Sequence, residues 1–280
     1  MIYEGYFDKV YYRFWQANDT NAIANVFSIH GLGGHCLWFD KAAGLFNENN
    51  INHFSFDLPW FGQSKYQRGY IDSYKTWVSV TKEVLEKFLT HFNIKTPVFI
   101  LGHSMGALIA TVLSNNVKPH GWILSVPGFQ GNNKIFSPGK FILPVLYKSL
   151  CNPTEPIALP FGPELLTRNK ETQLKIKQDK LRVVNVSAKA LKEVYFLSAK
   201  VQKSTRQINA PVLMLEAGQD MVCSIPAMDK YYDEIESDDK SKKVYTDFYH
   251  DLFVEDDLKL IIDDVSEWIR LRLKSYQPNN

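Results

Sequence analysis

The stretch Phe99–Ala110, FILGHSMGALIA, decides how the rest of the chain is read. Its centre is Gly102-His103-Ser104-Met105-Gly106. A strand that turns into a helix within a residue or two strains the residue at the turn. Neighbours with almost no side chain make that turn sterically feasible. Glycine stands on both sides, so the Ser104 hydroxyl is left exposed at the tip, in the G-x-S-x-G arrangement. A chain of this length carries the pentapeptide by chance about one time in ten, so context decides. PVFILG reads as a buried strand opened by Pro97. MGALIATVLSNN reads as a helix that fades into Asn115-Asn116.

Outward from this turn the pattern repeats. EGYFDKVYYRFWQA reads as a hairpin. AIANVFSIHG reads as an apolar strand ending at Gly31, and NHFSFDLPWFGQS as a strand ending in a Pro/Gly loop. An amphipathic helix follows, with Tyr74, Trp77, Val84, Leu85, Phe88 and Phe92 on one face. GWILSVP, APVLMLEAG and KKVYTDFYH are further strands. A closing helix turns Leu258, Ile261, Ile262, Val265, Trp268 and Ile269 inward. Alternating strands and helices predict an α/β fold with a mostly parallel sheet flanked by helices on both faces. From Gly128 to Gln207 the alternation stops. That stretch carries six prolines, reads as helices without strands, and returns to the sheet pattern at Ala210. It is expected to be an inserted helical cap (127–207) on a single domain whose core is 1–126 and 208–280.

Composition narrows the function classes. The chain has 280 residues, 45% hydrophobic and 22% charged, with a formal net charge of +2. These values suit a globular protein, and without a Lys/Arg block no nucleic-acid partner is expected. The N-terminus has an early acid and no apolar core of a leader peptide. No apolar run reaches the ~18 residues a membrane span needs. Cys36, Cys151 and Cys223 are scattered and odd in number. This suits a reduced, cytoplasmic protein and offers no C-x-x-C for zinc. No metal, cofactor or obligate protein partner is called for.

A serine hydroxyl needs a base within hydrogen-bond reach and an acid that orients the base. With G-x-S-x-G the partners follow in the order acid, then histidine. His30, His35, His53, His91 and His103 precede Ser104, and His103 is expected to point away from it. His120 stands just before a strand, at the wrong end of the sheet. His250 remains, beyond the last strand and therefore at the carboxyl edge where ligands bind in open sheets. Asp220 follows the strand LMLEA by a short loop and is the candidate acid. Glu216 is still on the strand; Asp229, Asp233 and Asp251 read as solvated charges. The developing oxyanion needs two N–H donors. Met105, after the nucleophile, is one. Leu32, in the loop SIHGLGGH, is the other, with Gly33 as second choice. That loop lacks the spacing of a phosphate-binding motif.

With these motifs in order the chain resembles the α/β-hydrolases. More narrowly it is similar to the monoacylglycerol lipase and lysophospholipase group, with its serine aminopeptidase-like relatives. The resemblance rests on HGLGGH (30–35), FDLPWFGQS (56–64), GHSMG (102–106), GQDMVC (218–223), YHDLFVE (249–255) and the cap stretch LLTRNKETQLKIKQDKL (165–181). It implies a serine hydrolase acting on carboxylic esters of small acyl lipids through Ser104, His250 and Asp220. Two positions depart from the group: Gly34 stands where an acid is common, and Pro59-Trp60-Phe61-Gly62 where RGHG is common. Both positions lie close to the mouth of the site, so the resemblance leaves the head group open between glycerol and another alcohol. The segment 135–150 is dense in apolar residues, and Phe141 and Leu146 are the candidate substrate contacts. The same cap is where transient contact with a membrane surface is expected. An aminopeptidase would instead place a cap carboxylate, Glu155, Glu164 or Glu171, against the substrate amine. A non-catalytic ligand-binding protein on the same scaffold is the remaining alternative.

Overall fold

The computed structural model describes residues 1–17, 22–204 and 208–275. The expected end of the cap at 205–207, and residues 18–21 and 276–280 of the expected core, lie outside the described residues. The chain begins with a hairpin, β1 (Ile2–Phe7) and β2 (Val10–Trp15), paired antiparallel. Then come β3 (Ala24–Ile29), α1 (Asp40–Glu48), β4 (Ile51–Phe56) and α2 (Tyr74–His91). The G-x-S-x-G stretch joins β5 (Val98–His103) to α3 (Met105–Leu113), and β6 (Gly121–Ser125) follows.

A long excursion separates β6 from the next strand of the main sheet. It holds α4 (Leu143–Cys151), β7 (Pro156–Ala158), α5 (Lys170–Gln178), β8 (Asn185–Ser187) and α6 (Ala188–Ser204). One turn of π-helix, Pro138–Ile142, leads into α4. The excursion is not purely helical as its sequence suggested: β7 and β8 pair antiparallel as a small separate sheet. Three residues apiece are too few for an alternation pattern to register. The chain then completes β9 (Val212–Ala217), α7 (Ile225–Glu234), β10 (Lys240–Tyr245) and α8 (Leu258–Ser275).

The main sheet has eight strands in the order β1-β2-β4-β3-β5-β6-β9-β10. The hairpin joins antiparallel to β4, and every pair from β4 to β10 is parallel. β3, β4, β5, β6 and β9 are buried along their whole length. That explains why they read as continuous apolar runs: helices cover both faces. On one face Phe46 of α1 packs with Ile261, Val265 and Trp268 of α8. On the other lie Trp77 and Phe88 of α2, Leu108 of α3 and Met228 of α7. The edge strand β10 carries Lys240, Lys242 and Lys243, charges that discourage edge-to-edge pairing. The strand order reverses between β3 and β5, so their carboxyl ends diverge and leave a crevice. Ser104 lies directly at that switch point, after β5, and the His30-Gly31 turn follows β3.

Candidate active site

Ser104 has φ 54° and ψ −115°, a backbone conformation that costs an L-residue about 1–3 kcal/mol. The two flanking glycines are forced by close packing. A Cβ on Gly106 would stand 2.1 Å from the Ile29 carbonyl oxygen, and one on Gly102 would stand 2.5 Å from Ala107 Cα. The turn is held by the Ser104 N–H donating to the Ser125 carbonyl at 2.9 Å. The Ser104 carbonyl in turn accepts from Ala107 at 3.1 Å and Gly128 at 3.2 Å.

His250 stands in the loop after β10, and Asp220 in the loop after β9. His250 Nε2 is 3.0 Å from Ser104 Oγ, and Nδ1 is 2.8 Å from Asp220 Oδ2. The other carboxylate oxygen, Asp220 Oδ1, accepts the N–H groups of Val222 and Cys223, each at 2.8 Å. This fixes the carboxylate and leaves one oxygen for the imidazole. With Nδ1–H donating to Asp220, Nε2 is free to accept the Ser104 proton. Burial alone would disfavour the imidazolium, but the Asp220 carboxylate, aided by Asp251, outweighs it. His250 is held above its ordinary pKa.

Asp251 stands differently from its sequence reading. Asp251 is not a solvated charge: it is 2% exposed, and burial pushes its carboxyl up to about 6. Its side chain caps the short helical turn after His250 by accepting the Phe253 N–H at 3.2 Å. His103 is buried behind the site, with its ring centroid 5.5 Å from that of His250. Burial and the neighbouring His250 hold its pKa well below the ordinary value, so it stays neutral. Glu216 is buried on β9 and faces Lys242 at 3.7 Å rather than His250.

Loop 30–35 is tightly pinned. His30 Nε2 accepts the Leu58 N–H at 2.9 Å, and Nδ1 donates to the Gly31 carbonyl at 2.8 Å. Burial pushes His30 down to about 4, so the neutral ring that makes both bonds persists across ordinary pH. A Cβ on Gly31 would come within 3.1 Å of Ser104 Cβ, a direct sign of how closely this loop passes the serine. The Gly33 carbonyl is turned toward the excursion and accepts from Val183 at 2.9 Å. Leu32 and Met105 share one cavity wall with Ser104. Met105 is the first residue of α3, where N–H groups have no acceptor within the helix. The helix dipole also favours negative charge there.

Asp57 stands just after β4 in the stretch 56–64. It ties this corner together by accepting the Cys36 N–H at 2.8 Å and the Gln63 N–H at 2.6 Å. No spacing rule signals such a bond; it depends on the tertiary approach of two loops.

The cavity beside Ser104 measures about 130 Å³. Phe136, Phe141, Ile142, Val145 and Leu146 line it from the excursion, with Leu191 and Val194 of α6. The dense segment 135–150 therefore divides. Leu143, Tyr147 and Leu150 point outward and are 63%, 69% and 79% exposed. No carboxylate lines the cavity among the described residues. Glu155 pairs with Lys148 and Glu171 with Lys175, each at 2.6 Å, and Glu164 is not on the wall. Asp220, Cys223 and His250 bring potential ligand atoms within 4.8 Å of one another. Asp220 is already filled by N–H donors, and burial keeps the Cys223 thiol protonated. The donor set suits hydrogen bonding rather than an ion. No helix among the described residues is long and apolar enough to cross a membrane.

Fold and strand order define an α/β-hydrolase. The family described as serine aminopeptidase, S33 matches residues 20–257, and the chain belongs to it. A monoglyceride lipase of Rattus norvegicus is 26% identical over 275 residues, covering 93% of this chain and 86% of the relative. Phospholipase YtpA of Bacillus subtilis (strain 168) is 26% identical over 248 residues, covering 86% of this chain and 93% of the relative. Among solved structures, a soluble variant of the Saccharomyces cerevisiae monoglyceride lipase, in complex with a substrate analog, superposes with a TM-score of 0.86. It is 20% identical and covers 96% of this chain and 94% of its own. At that identity the likeness speaks for the fold.

Proposed function

We propose that the protein is a carboxylic ester hydrolase acting on small acyl-lipid esters, of the monoacylglycerol or lysophospholipid kind. In this reading Ser104 is the nucleophile, His250 the base, Asp220 its orienting acid, and residues 127–207 the cap. One observation carries the reading: the hydrogen-bonded series Asp220–His250–Ser104 opens onto an apolar cavity without a carboxylate. An acyl chain is stabilised there by about 0.8 kcal/mol per buried CH2. A substrate ammonium finds no counter-charge among the described residues of the cavity wall, which disfavours the aminopeptidase reading. The names of the relatives point the same way.

Ser104 Oγ attacks the ester carbonyl carbon while His250 Nε2 takes its proton. The Leu32 and Met105 N–H groups receive the oxyanion. The tetrahedral intermediate collapses, and the alcohol leaves with the proton from His250. Water, deprotonated by the same ring, then releases the acid and restores the serine. The outward-facing Leu143, Tyr147 and Leu150 give the cap an apolar face for transient contact with a lipid surface.

Two measurements test this reading. The first compares kcat/KM across p-nitrophenyl esters of rising chain length with a panel of aminoacyl anilides. Esters are expected to dominate. Phe141→Ser or Leu146→Ser is expected to cost long-chain esters about 1–3 kcal/mol and short esters little. Equal loss at every chain length would mean that these side chains only pack the cap. The second is the pH profile. His250 acts only when neutral, and its pKa is raised. kcat/KM is therefore expected to climb with pH through one titration centred above the ordinary histidine value of about 6.5. A flat profile would remove His250 as base; a midpoint below the ordinary value would mean instead that burial outweighs the Asp220 carboxylate at this ring.

A further inference from the structure

The loop that carries His250 is held from both sides, and in each case the excursion takes part. On one side the Tyr249 N–H donates to Glu255 Oε1 at 3.1 Å. On the other the Asp251 N–H donates to the Leu166 carbonyl at 2.8 Å. Glu255 is 1% exposed and is also bound by the excursion. Its Oε1 accepts the Arg168 N–H at 3.2 Å. Its Oε2 accepts the Thr167 hydroxyl at 3.1 Å and Arg168 Nε–H at 3.4 Å. The Arg168 guanidinium lies over the Phe248 ring, 4.7 Å from its centroid. A buried carboxylate without these donors would be an uncompensated charge. Without the carboxylate the buried Thr167 hydroxyl would lose its acceptor, whereas Arg168, a third exposed, would keep Asp257 at 3.4 Å.

We propose that Glu255 is a positioning residue for His250, and that through Thr167 and Arg168 it makes the placement of the base depend on the excursion. This rests on the reading of His250 as the base. The physical reason is distance. His250 meets its two partners at 2.8 and 3.0 Å, and it does so from a loop with no regular ladder of its own. A misplacement of about 1 Å can cost on the order of a hundredfold in rate. The excursion is then more than a cover over the substrate. It is one wall of the mould in which the base is set, so a cap movement that shifts residues 166–168 carries His250 with it.

The test compares the parent with Glu255→Gln, Thr167→Val, Arg168→Ala and Arg168→Lys. It uses kcat and KM for a short ester, the rate of phosphonylation by a fluorophosphonate, and melting temperature. Glu255→Gln turns an amide N–H2 toward at least one of the four donors. Its kcat and phosphonylation rate are expected to fall together by about ten- to a hundredfold, with KM within about twofold. Thr167→Val and Arg168→Ala are expected to fall less, in the same direction, and Arg168→Lys to recover part of the loss. Lower melting temperatures with unchanged kcat would show a structural role only and overturn the proposal. If Glu255→Gln does not fold, the three variants on the excursion decide by the same readouts. A parent protein that is not phosphonylated would overturn the reading of the site itself. A parent that reacts alongside a Glu255→Gln variant that reacts equally fast would overturn only the positioning role.

Discussion

Replacing Ser104 by alanine is expected to abolish ester hydrolysis, with a loss of about a million-fold in kcat, the scale on which serine hydrolases respond to removal of the nucleophile. The change deletes one oxygen and leaves the surroundings intact. The Gly102 and Gly106 contacts remain, and so do the backbone bonds to Ser125, Ala107 and Gly128. Alanine meets the same positive φ as serine, so stability is expected to change little. What is lost is the atom 3.0 Å from His250 Nε2. Activity is to be measured on protein freed of parent enzyme, beside a melting curve. Parent-like turnover by the alanine variant would place the chemistry elsewhere.

Asp220→Asn is expected to cost about 10⁴ in kcat, the loss seen when a triad aspartate is made an amide elsewhere. The geometry gives the reason. One oxygen of Asp220 accepts the Val222 and Cys223 N–H groups. An asparagine keeps those bonds by placing its single oxygen there. Its N–H2 then faces His250 Nδ1, which must become an acceptor. The ring proton moves to Nε2 and points at Ser104, so the base can no longer take the serine proton. The elevated pKa of His250 also loses its main cause. Glu216→Gln is the control, since Glu216 faces Lys242 across the β9–β10 pair. A nearly silent Asp220→Asn beside a dead Glu216→Gln would mean that the acid lies four residues earlier.

How much of this was legible in sequence follows from what kind of contact each feature depends on. The parallel strands announce themselves because β3, β4, β5, β6 and β9 are buried on both faces and so are apolar throughout. The meeting of Ser104, Asp220 and His250 is a consequence of topology. All three follow strands of one parallel sheet and therefore share its carboxyl edge. The sheet of β7 and β8 is too short to print a pattern. Asp251 misleads because YHDLFVEDD is acidic enough to suggest a surface loop, whereas the fold buries Asp251 and Glu255 and exposes Asp256 and Asp257. Glu255 and Asp57 act through bonds to residues distant in sequence, and no local spacing encodes them. Phe141 and Leu146 could be picked out only as members of an apolar segment. Which of its side chains turn toward Ser104 depends on how α4 lies against α6.

The most direct test of the account is covalent. A fluorophosphonate probe is to be incubated with the protein, and the adduct counted by intact mass and located by peptide mapping. One adduct per chain is expected, on Ser104. Its formation should slow steeply in Asp220→Asn and be absent in Ser104→Ala. An adduct on another serine, or none on a preparation that hydrolyses esters, would contradict it.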